Sequence, residues 1–168
     1  MPDAGTELSI HSYDALPDPS VLRTAYSDYM DEIGQFIAHL ELAYSAPHWW
    51  WETDADVDAW TLVGRGGRLV GFTIIGHAAR VDDDVDSEIL EFYVAPSWRG
   101  RGCARRLFEH SLTRLRGRAG LQAYSDNEPA CAFWRHILGT HDIDFTTRDV
   151  YEGRIPVTKF RFNVPRSS

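Results

Sequence analysis

Apolar side chains near the start of the chain recur with the period of a helix. Asp18 and Pro19 combine a capping side chain with a proline that suits a first helical turn. After them, apolar residues return every three or four positions and therefore share one helix face: Leu22, Tyr26, Tyr29, Ile33, Phe36, Ile37 and Leu40. The pattern predicts one long amphipathic helix, with Gly34 as the position where it could break.

Short apolar runs bounded by turn residues predict seven strands. In chain order they are Glu7–Tyr13, Trp60–Gly64, Leu69–His77, Ser87–Val94, Gly120–Tyr124, Ile143–Tyr151 and Ile155–Asn163. Two more amphipathic helices are predicted, one that opens at Gly102 and one over Pro129–Leu138 that Gly139 would close. Strands follow one another first and alternate with helices later. This order predicts an α/β (α+β) fold, with a mixed, mostly antiparallel central sheet of about seven strands flanked by helices.

Length and composition fit one ordinary domain spanning residues 1–168. Hydrophobic residues make up 43% of the 168 and charged residues 25%, and no apolar run approaches the roughly 20 residues of a membrane span. The N-terminus lacks the features of a secretory signal. The two cysteines, Cys103 and Cys131, are too few for a disulfide framework or a zinc site, and the seven histidines lack ligand spacing. We therefore expect a reduced, cytoplasmic protein without a metal or a membrane partner.

Charge is distributed unevenly along the chain. The net charge is −8, yet residues 1–60 hold twelve acids and one base, whereas residues 99–118 hold seven arginines and one acid. A net-acidic protein with one local basic cluster is poorly suited to nucleic acid, but it suits a small polyanion such as a coenzyme phosphate. The acidic part could attract a cationic substrate or could simply aid solubility.

The segment from Phe92 to Ala104 carries the most informative chemistry. An apolar strand ends there, and two glycines then lead into an amphipathic helix. Glycines let a backbone approach a ligand closely, and the free N–H groups of a helix start attract an anion. The turn lacks the glycine spacing of a dinucleotide fingerprint and the Gly-Lys pair of a P-loop. It is therefore either a pyrophosphate-binding turn or a structural one.

Two motifs resemble one enzyme family. The run Arg99-Gly100-Arg101-Gly102-Cys103-Ala104 resembles the acyl-CoA signature R/Q-x-x-G-x-G/A of the GNAT superfamily of N-acetyltransferases. About 25 residues later the family usually has an asparagine, one or two alanines and an aromatic pair before Leu-Gly, and Asn127–Gly139 fits this description. The resemblance covers roughly residues 7–163. Glu91–Val94 together with Phe133–Arg135 is similar to a group of bacterial predicted acetyltransferases that have no assigned substrate.

The resemblance implies an acetyl-CoA-dependent N-acetyltransferase whose sheet splays open between the fourth and fifth strands. The pantetheine arm of the coenzyme would pair there with the backbone of Phe92, Tyr93 and Val94. Its pyrophosphate would lie against the signature and the residue that follows: Arg99, Gly100, Arg101, Gly102, Cys103, Ala104 and Arg105. Asn127 would reach the coenzyme from the next helix. Trp134 stands where many family members have a tyrosine that protonates the leaving thiolate, and an indole cannot act as an acid, so it would contact the coenzyme or pack in the core.

Catalysis requires a base, an oxyanion donor and, as a help, an acid. Glu88 and Glu91 are the candidate bases for the amine proton. Because the two glutamates are three positions apart on a strand, their side chains would face opposite sides of the sheet unless a bulge intervenes. We favour Glu91 as the base because its neighbours are apolar. A strand N–H near Tyr93 could stabilise the oxyanion. Tyr124 is the candidate acid, although Tyr93 could serve instead or the thiolate could leave unassisted.

The loop over residues 44–58 is expected to line the site of the amine that accepts the acyl group. Trp49, Trp50 and Trp51 would form an aromatic wall, and Glu52, Asp54 or Glu41 would meet the charge of a small cationic amine or a peptide amine. The alternative for the tryptophans is packing alone. A homodimer is compatible with the family.

Two other functions stay open on the same fold. One is transfer from another acyl donor, such as a longer acyl-CoA or an aminoacyl-tRNA, although the acidic residues 1–60 disfavour a tRNA. The other is a non-catalytic acyl-CoA-binding protein, which the tryptophan at position 134 would allow.

Overall fold

Seven strands form a single sheet in the computed structural model, which describes residues 7–36 and 49–166. The elements are β1 (Ser9–Ser12), α1 (Ser20–Gly34), β2 (Val57–Val63), β3 (Leu69–Gly76), β4 (Ser87–Val94), α2 (Cys103–Arg114), β5 (Arg118–Tyr124), α3 (Glu128–Thr140), β6 (Phe145–Glu152) and β7 (Ile155–Asn163). Their spatial order is β1-β2-β3-β4-β5-β7-β6, and β4 and β5 are the parallel pair. The mixed, mostly antiparallel sheet predicted from the sequence is confirmed.

Most differences between predicted and observed bounds arise from strand pairing. Strand β2 begins at Val57 rather than Trp60, because Val57 pairs with the end of β3, and β5 begins at Arg118, which pairs with Asn163 of β7. The first predicted helix ends at Gly34 in α1. Its predicted continuation through Ile37 and Leu40 lies outside the described residues, as does the loop before residue 49.

Helix α3 ends later than predicted, with Gly139 inside it. The residue with a positive φ is Asp142, at 52°. The N–H of Ile143 donates to the carbonyl of Leu138, and that of Asp142 to Gly139. These two bonds form a Schellman cap, which usually has glycine in the left-handed position but also tolerates Asn or Asp. The prediction that Gly139 closes the helix is therefore wrong, because Asp142 takes the left-handed position of the cap.

Helices cover both faces of the sheet and define two cores. On one face, α1 packs with Trp51 against Phe72, Ile74 and Tyr93. On the other, α2 and α3 contribute side chains such as Phe108 and Trp134 to a core that also includes strands β4, β5 and β7. None of the described helices is long and apolar enough to cross a membrane.

Strand β4 contains a β-bulge at Leu90. Glu91 pairs with Ile74 and Ile89 with Ile75, so Leu90 has no opposing residue on β3. The extra residue reverses the side-chain alternation of the strand. The bulge that the sequence left open is therefore present, and it places Glu88 and Glu91 on the same face, the one covered by α1.

The parallel pairing of β4 and β5 is short. It joins Ser87–Ile89 to Ala119–Leu121 and stops there. The remainder of β4 continues beside β3, and β5 continues beside β7. The sheet therefore opens between these two strands, as the family resemblance implied.

The buried carboxylate of Glu88 holds the loop that precedes β4. Its oxygens accept hydrogen bonds from the backbone N–H groups of Arg80, Val81 and Asp82 at 2.7, 3.0 and 2.9 Å. A carboxylate supplies enough lone pairs for all three donors. The side chain is only 3% exposed, so these bonds are screened little by water.

We expect Glu88→Gln to destabilise the protein by about 1–3 kcal/mol, because the amide NH₂ cannot accept a hydrogen bond and leaves a buried donor unsatisfied. Urea denaturation measures the change. The exposed Glu152→Gln substitution at the end of β6 is the control and should stay within about 0.5 kcal/mol of the parent. Equal stabilities for the two variants would contradict this account of the loop.

Candidate active site

A cleft of about 990 Å³ opens where β4 and β5 part. On the α1 face it is lined by helix α1, Trp50, Arg80 and the bulged part of β4. On the other face it is lined by the glycine turn, the start of α2 and one side of α3. The two faces of the sheet therefore communicate through the opening between the strands.

The glycine turn has the geometry of an anion site. Gly100 and Gly102 have φ values of +72° and +79°, which favour glycine, and α2 begins directly after them. The first helical bond runs from the Arg106 N–H to the Gly102 carbonyl, so the N–H groups of Cys103, Ala104 and Arg105 have no partner within the helix. A Cβ at Gly102 would meet no atom of the described residues within 4 Å. The turn thus presents free donors to open space, which suits a phosphate.

The three arginines of the turn have distinct environments. Arg99 donates to the Val94 carbonyl at 2.9 Å and to Glu32 of α1 at 2.8 Å. Arg105 pairs with Glu109, one helical turn later. The guanidinium of Arg101 lies 5.8 Å from the ring centroid of Trp98. Arg99 and Arg105 line the cleft. Among the described residues, no backbone carbonyl accepts a hydrogen bond from the N–H groups at the start of α2, and the guanidinium groups supply charge beside them.

Three other predicted coenzyme residues have structural contacts of their own. Cys103 is 1% exposed in the core under α2, and burial raises the pKa of its thiol. Trp134 is buried edge-on against Phe92, with ring centroids 5.0 Å apart, and it also borders the cleft. Asn127 caps α3 by accepting from the Ala130 N–H, so its NH₂ end is the part that can donate to a ligand.

The free edge of β4 supplies backbone donors to the cleft. In an antiparallel pair, successive residues point their N–H and C=O alternately toward and away from the partner strand. The Ala95 N–H donates to β3, and the Tyr93 carbonyl oxygen lies against Gly71 of β3. Phe92 and Val94 consequently direct their N–H groups away from β3, toward the opening. The backbone N–H of Tyr93 points to β3, so an oxyanion donor of the kind expected near Tyr93 would have to be the N–H of Phe92 or Val94.

Glu91 lines the cleft beside Tyr29 of α1. Burial raises the pKa of its carboxyl to about 7, and a hydrogen bond from Tyr29 offsets part of that rise. Burial, with the nearby carboxylate of Glu91, also raises the pKa of Tyr29 well above its usual value. A carboxylate with a pKa near neutrality can exchange a proton with a reacting amine at physiological pH.

Glu88 and Tyr124 differ in their relation to the cleft. Glu88 shares the face of Glu91, but its oxygens are occupied by the loop before β4 and it does not line the cleft. Tyr124 lines the cleft from the end of β5, and its charge when ionised would raise the pKa of Tyr29. The structure therefore brings Glu91, Tyr29 and Tyr124 together and leaves Glu88 apart.

The tryptophan run contributes one side chain to the cleft. Trp50 lines it and donates to the Tyr26 hydroxyl at 3.2 Å. Trp51 is 5% exposed in the core under α1, and Trp49 packs beside it at a ring-centroid distance of 5.7 Å. Within the described part of the chain, neither Trp49 nor Trp51 lines the cleft.

Two of the three acids proposed to meet the acceptor's charge are already paired. Glu52 binds the guanidinium of Arg23 at 2.7 and 2.8 Å and accepts from the Tyr13 hydroxyl at 2.5 Å. Hydrogen bonding to Arg23 lowers the pKa of Glu52. Asp54 pairs with Arg80. Glu41 lies outside the described residues.

Sequence reasoning did not assign Tyr29 a role at the site. Its place in the apolar repeat of α1 predicts packing, and Tyr29 is half-buried there, with its ring centroid 5.7 Å from that of Phe72. Its contact with Glu91 joins residues 62 positions apart, which no local pattern could show. Within residues 7–36 and 49–166, no group of three or more His, Cys, Asp or Glu side chains is arranged to hold a metal ion.

Comparison with known proteins gives the family. The model of the acetyltransferase (GNAT) family matches residues 22–140. No curated protein sequence matches the chain significantly. Ard1 from Thermoplasma volcanium is 18% identical with a TM-score of 0.61, and the alignment covers 95% of this chain and 99% of that one.

Two further solved structures have the same fold at similarly low identity. Spermidine N-acetyltransferase from Vibrio cholerae, in complex with CoA and spermine, is 14% identical with a TM-score of 0.60, covering 94% of this chain and 95% of that one. The ribosomal-protein-S18-alanine N-acetyltransferase from Escherichia coli is 18% identical with a TM-score of 0.57, covering 96% and 97%. Because the family model spans more than half of the sequence and the fold agrees, this chain belongs to the GNAT family of acetyltransferases.

Proposed function

We propose that this protein transfers an acetyl group from acetyl-CoA to a primary amine. The observation that carries the proposal is the position of Glu91, a carboxyl with a pKa of about 7, in a cleft that also contains a glycine turn with free N–H donors. One end of the cleft suits a phosphate and the other suits proton removal. Solved relatives in complex with CoA or acetyl-CoA support the choice of donor.

The coenzyme would bind chiefly through backbone groups. The N–H groups at the start of α2 and the glycine turn would hold the pyrophosphate. The edge of β4 at Phe92 and Val94 would pair with the pantetheine amides, because the N–H groups of these residues point away from β3. Asn127 would donate to the coenzyme from the start of α3. This arrangement brings the thioester toward Glu91.

The transfer then proceeds through a tetrahedral intermediate. The neutral amine nitrogen attacks the thioester carbonyl carbon, and Glu91, directly or through a water, takes the proton that the nitrogen loses. The N–H of Phe92 stabilises the oxyanion, which leaves the N–H of Val94 and the carbonyl of Phe92 for the pantetheine amides. The C–S bond breaks as the carbonyl re-forms, and Tyr124 donates a proton to the thiolate. Trp134 cannot take that last role, because an indole N–H does not act as an acid.

The carboxyl of Glu91 also favours an enzyme over a non-catalytic binding protein. Burying a carboxyl costs stability unless partners compensate for its lost hydration. Among the described residues Glu91 forms no ion pair, and a single tyrosine hydroxyl is the hydrogen-bonding side chain that lowers its pKa.

Replacing Gly102 with valine should weaken acetyl-CoA binding by about tenfold or more, because the side chain would occupy the open space in front of the free N–H groups. Gly66→Val is a matched control, since Gly66 also has a φ of +79° and open space at its Cβ but lies in the turn between β2 and β3. Calorimetric titration measures both affinities. If Gly102→Val keeps the parental affinity while folded, the pyrophosphate does not bind at this turn.

The rate should depend on ionised Glu91. Because a base must be deprotonated to act, kcat/KM should rise with pH and level off above an apparent pKa of about 7. Glu91→Gln should lower the rate by roughly 10²–10⁴-fold and abolish this limb of the profile, with acetyl-CoA affinity unchanged. If Glu88→Gln loses the rise of kcat/KM with pH while Glu91→Gln stays active, the base is Glu88 and not Glu91.

Tyr29→Phe should move the same limb to higher pH. The Tyr29 hydroxyl lowers the pKa of Glu91 by hydrogen bonding, so its removal raises that pKa, and a larger fraction of the base stays protonated at neutral pH. The rate at high pH should recover, while acetyl-CoA affinity and thermal stability serve as controls. A limb that stays in place would show that Tyr29 only packs.

A further inference from the structure

The structure points to an acceptor of a definite chemical class, and this inference rests on the proposed function. We infer that the acceptor is a primary amine with a single positive charge attached to an apolar, preferably aromatic, body, and that polyamines and acidic peptides are disfavoured. The inference follows from the side chains that line the α1 face of the cleft.

That face is built mainly from rings. Tyr26, Tyr29, Trp50 and Tyr93 all border the cleft there, together with Met30 and Ile33. The rings support one another, with centroid distances of 6.0 Å between Tyr26 and Tyr29 and 5.8 Å between Tyr29 and Tyr93. Packed rings cannot turn freely, so the wall offers a fixed apolar surface. Such a surface binds an apolar body by excluding water and binds one ammonium group through the ring faces.

Two charged side chains in the described lining near the wall have ion-pair partners. Glu32 is paired with Arg99 at 2.8 Å, and Arg80 is paired with Asp54. Within the described part of the chain, the charged lining of the cleft comprises three arginines (Arg80, Arg99 and Arg105) and two glutamates (Glu32 and Glu91). Of the acids in the described part of residues 1–60, Glu32 is the one that lines the cleft, and burial, together with the charges of Glu32 and Asp28, raises the pKa of Tyr93.

One carboxylate can serve one ammonium group. A polyamine would place further ammonium groups beside rings and paired acids, where each lost hydration shell lacks a compensating partner. To gain one from the paired acids at the cleft, it would have to displace Arg99 from Glu32 or Arg80 from Asp54. An acidic acceptor would instead bring its charge close to Glu91.

The apolar wall also assists the reaction. Removing an ammonium group from water lowers its pKa, because burial disfavours the charged form. The bound amine is then easier to deprotonate by a base whose own pKa is near 7. A rim of unpaired carboxylates would have the opposite effect and would hold the amine in its unreactive charged form.

The first test compares three amines at equal ionic strength with acetyl-CoA as donor, by release of free thiol. We expect kcat/KM for 2-phenylethylamine to exceed that for ethylamine and for spermidine by about tenfold or more, since burial of a ring contributes well over 1.4 kcal/mol. Spermidine turned over as well as or better than 2-phenylethylamine would overturn the inference.

The second test removes the ring at the edge of the wall. Trp50→Ala should raise KM for 2-phenylethylamine by about tenfold, whereas KM for ethylamine, which has no body to contact the wall, should change less than twofold. Trp50→Phe retains a ring and should restore most of the loss. If Trp50→Ala changes KM equally for both amines, the variant has a general structural defect and the binding role of Trp50 is contradicted. The affinity for acetyl-CoA checks that the variant is folded.

A binding measurement separates this inference from the proposed function. Calorimetric titration of each amine into CoA-saturated protein reports acceptor binding without turnover. Preferential binding of 2-phenylethylamine with no thiol release from any amine would refute the proposed transferase function and support the acceptor class. Turnover with preferential binding of spermidine would support the transferase and refute the acceptor class, and binding of neither amine would also refute that class.

Discussion

The early end of the β4–β5 pairing is the constraint on which the rest of the site depends. A backbone N–H or C=O needs a partner when it is removed from water, and beyond Ile89 and Leu121 these two strands no longer provide one for each other. The exposed edges must therefore be satisfied by solvent or by a ligand that supplies amides of its own. The cleft, the path between the two faces and the donors of β4 all follow from this opening.

The bulge at Leu90 determines which side chains meet in the opening. By reversing the alternation of β4, it turns Glu91 and Tyr93 toward α1 and Phe92 toward α3. The α1 face then combines a carboxyl with closely packed rings, and burial there raises the pKa of Glu91 to about 7. The same apolar packing that stabilises α1 on the sheet thus tunes the proposed base and shapes the wall for the acceptor.

Charge pairing changes the meaning of the acidic first part of the chain. By composition, residues 1–60 could attract a cationic substrate or simply aid solubility. In the fold, Glu32, Glu52 and Asp54 each bind an arginine, so their local fields are largely cancelled at short range. The remaining excess of negative charge acts at a distance and is screened beyond about 8–10 Å at physiological ionic strength.

The sequence by itself determined the order of helices and strands, the glycine turn and the family signature. These features are local, because a period of apolar residues or a glycine before a helix acts on the backbone of a few neighbouring residues. The tertiary structure alone decided that Glu88 secures a loop while Glu91 faces the cleft, and that Tyr29 contacts the carboxyl of Glu91. Each of these outcomes depends on a bulge, a packed helix or a partner that is distant along the chain, and the physical cause is contact between segments whose spacing no sequence pattern records.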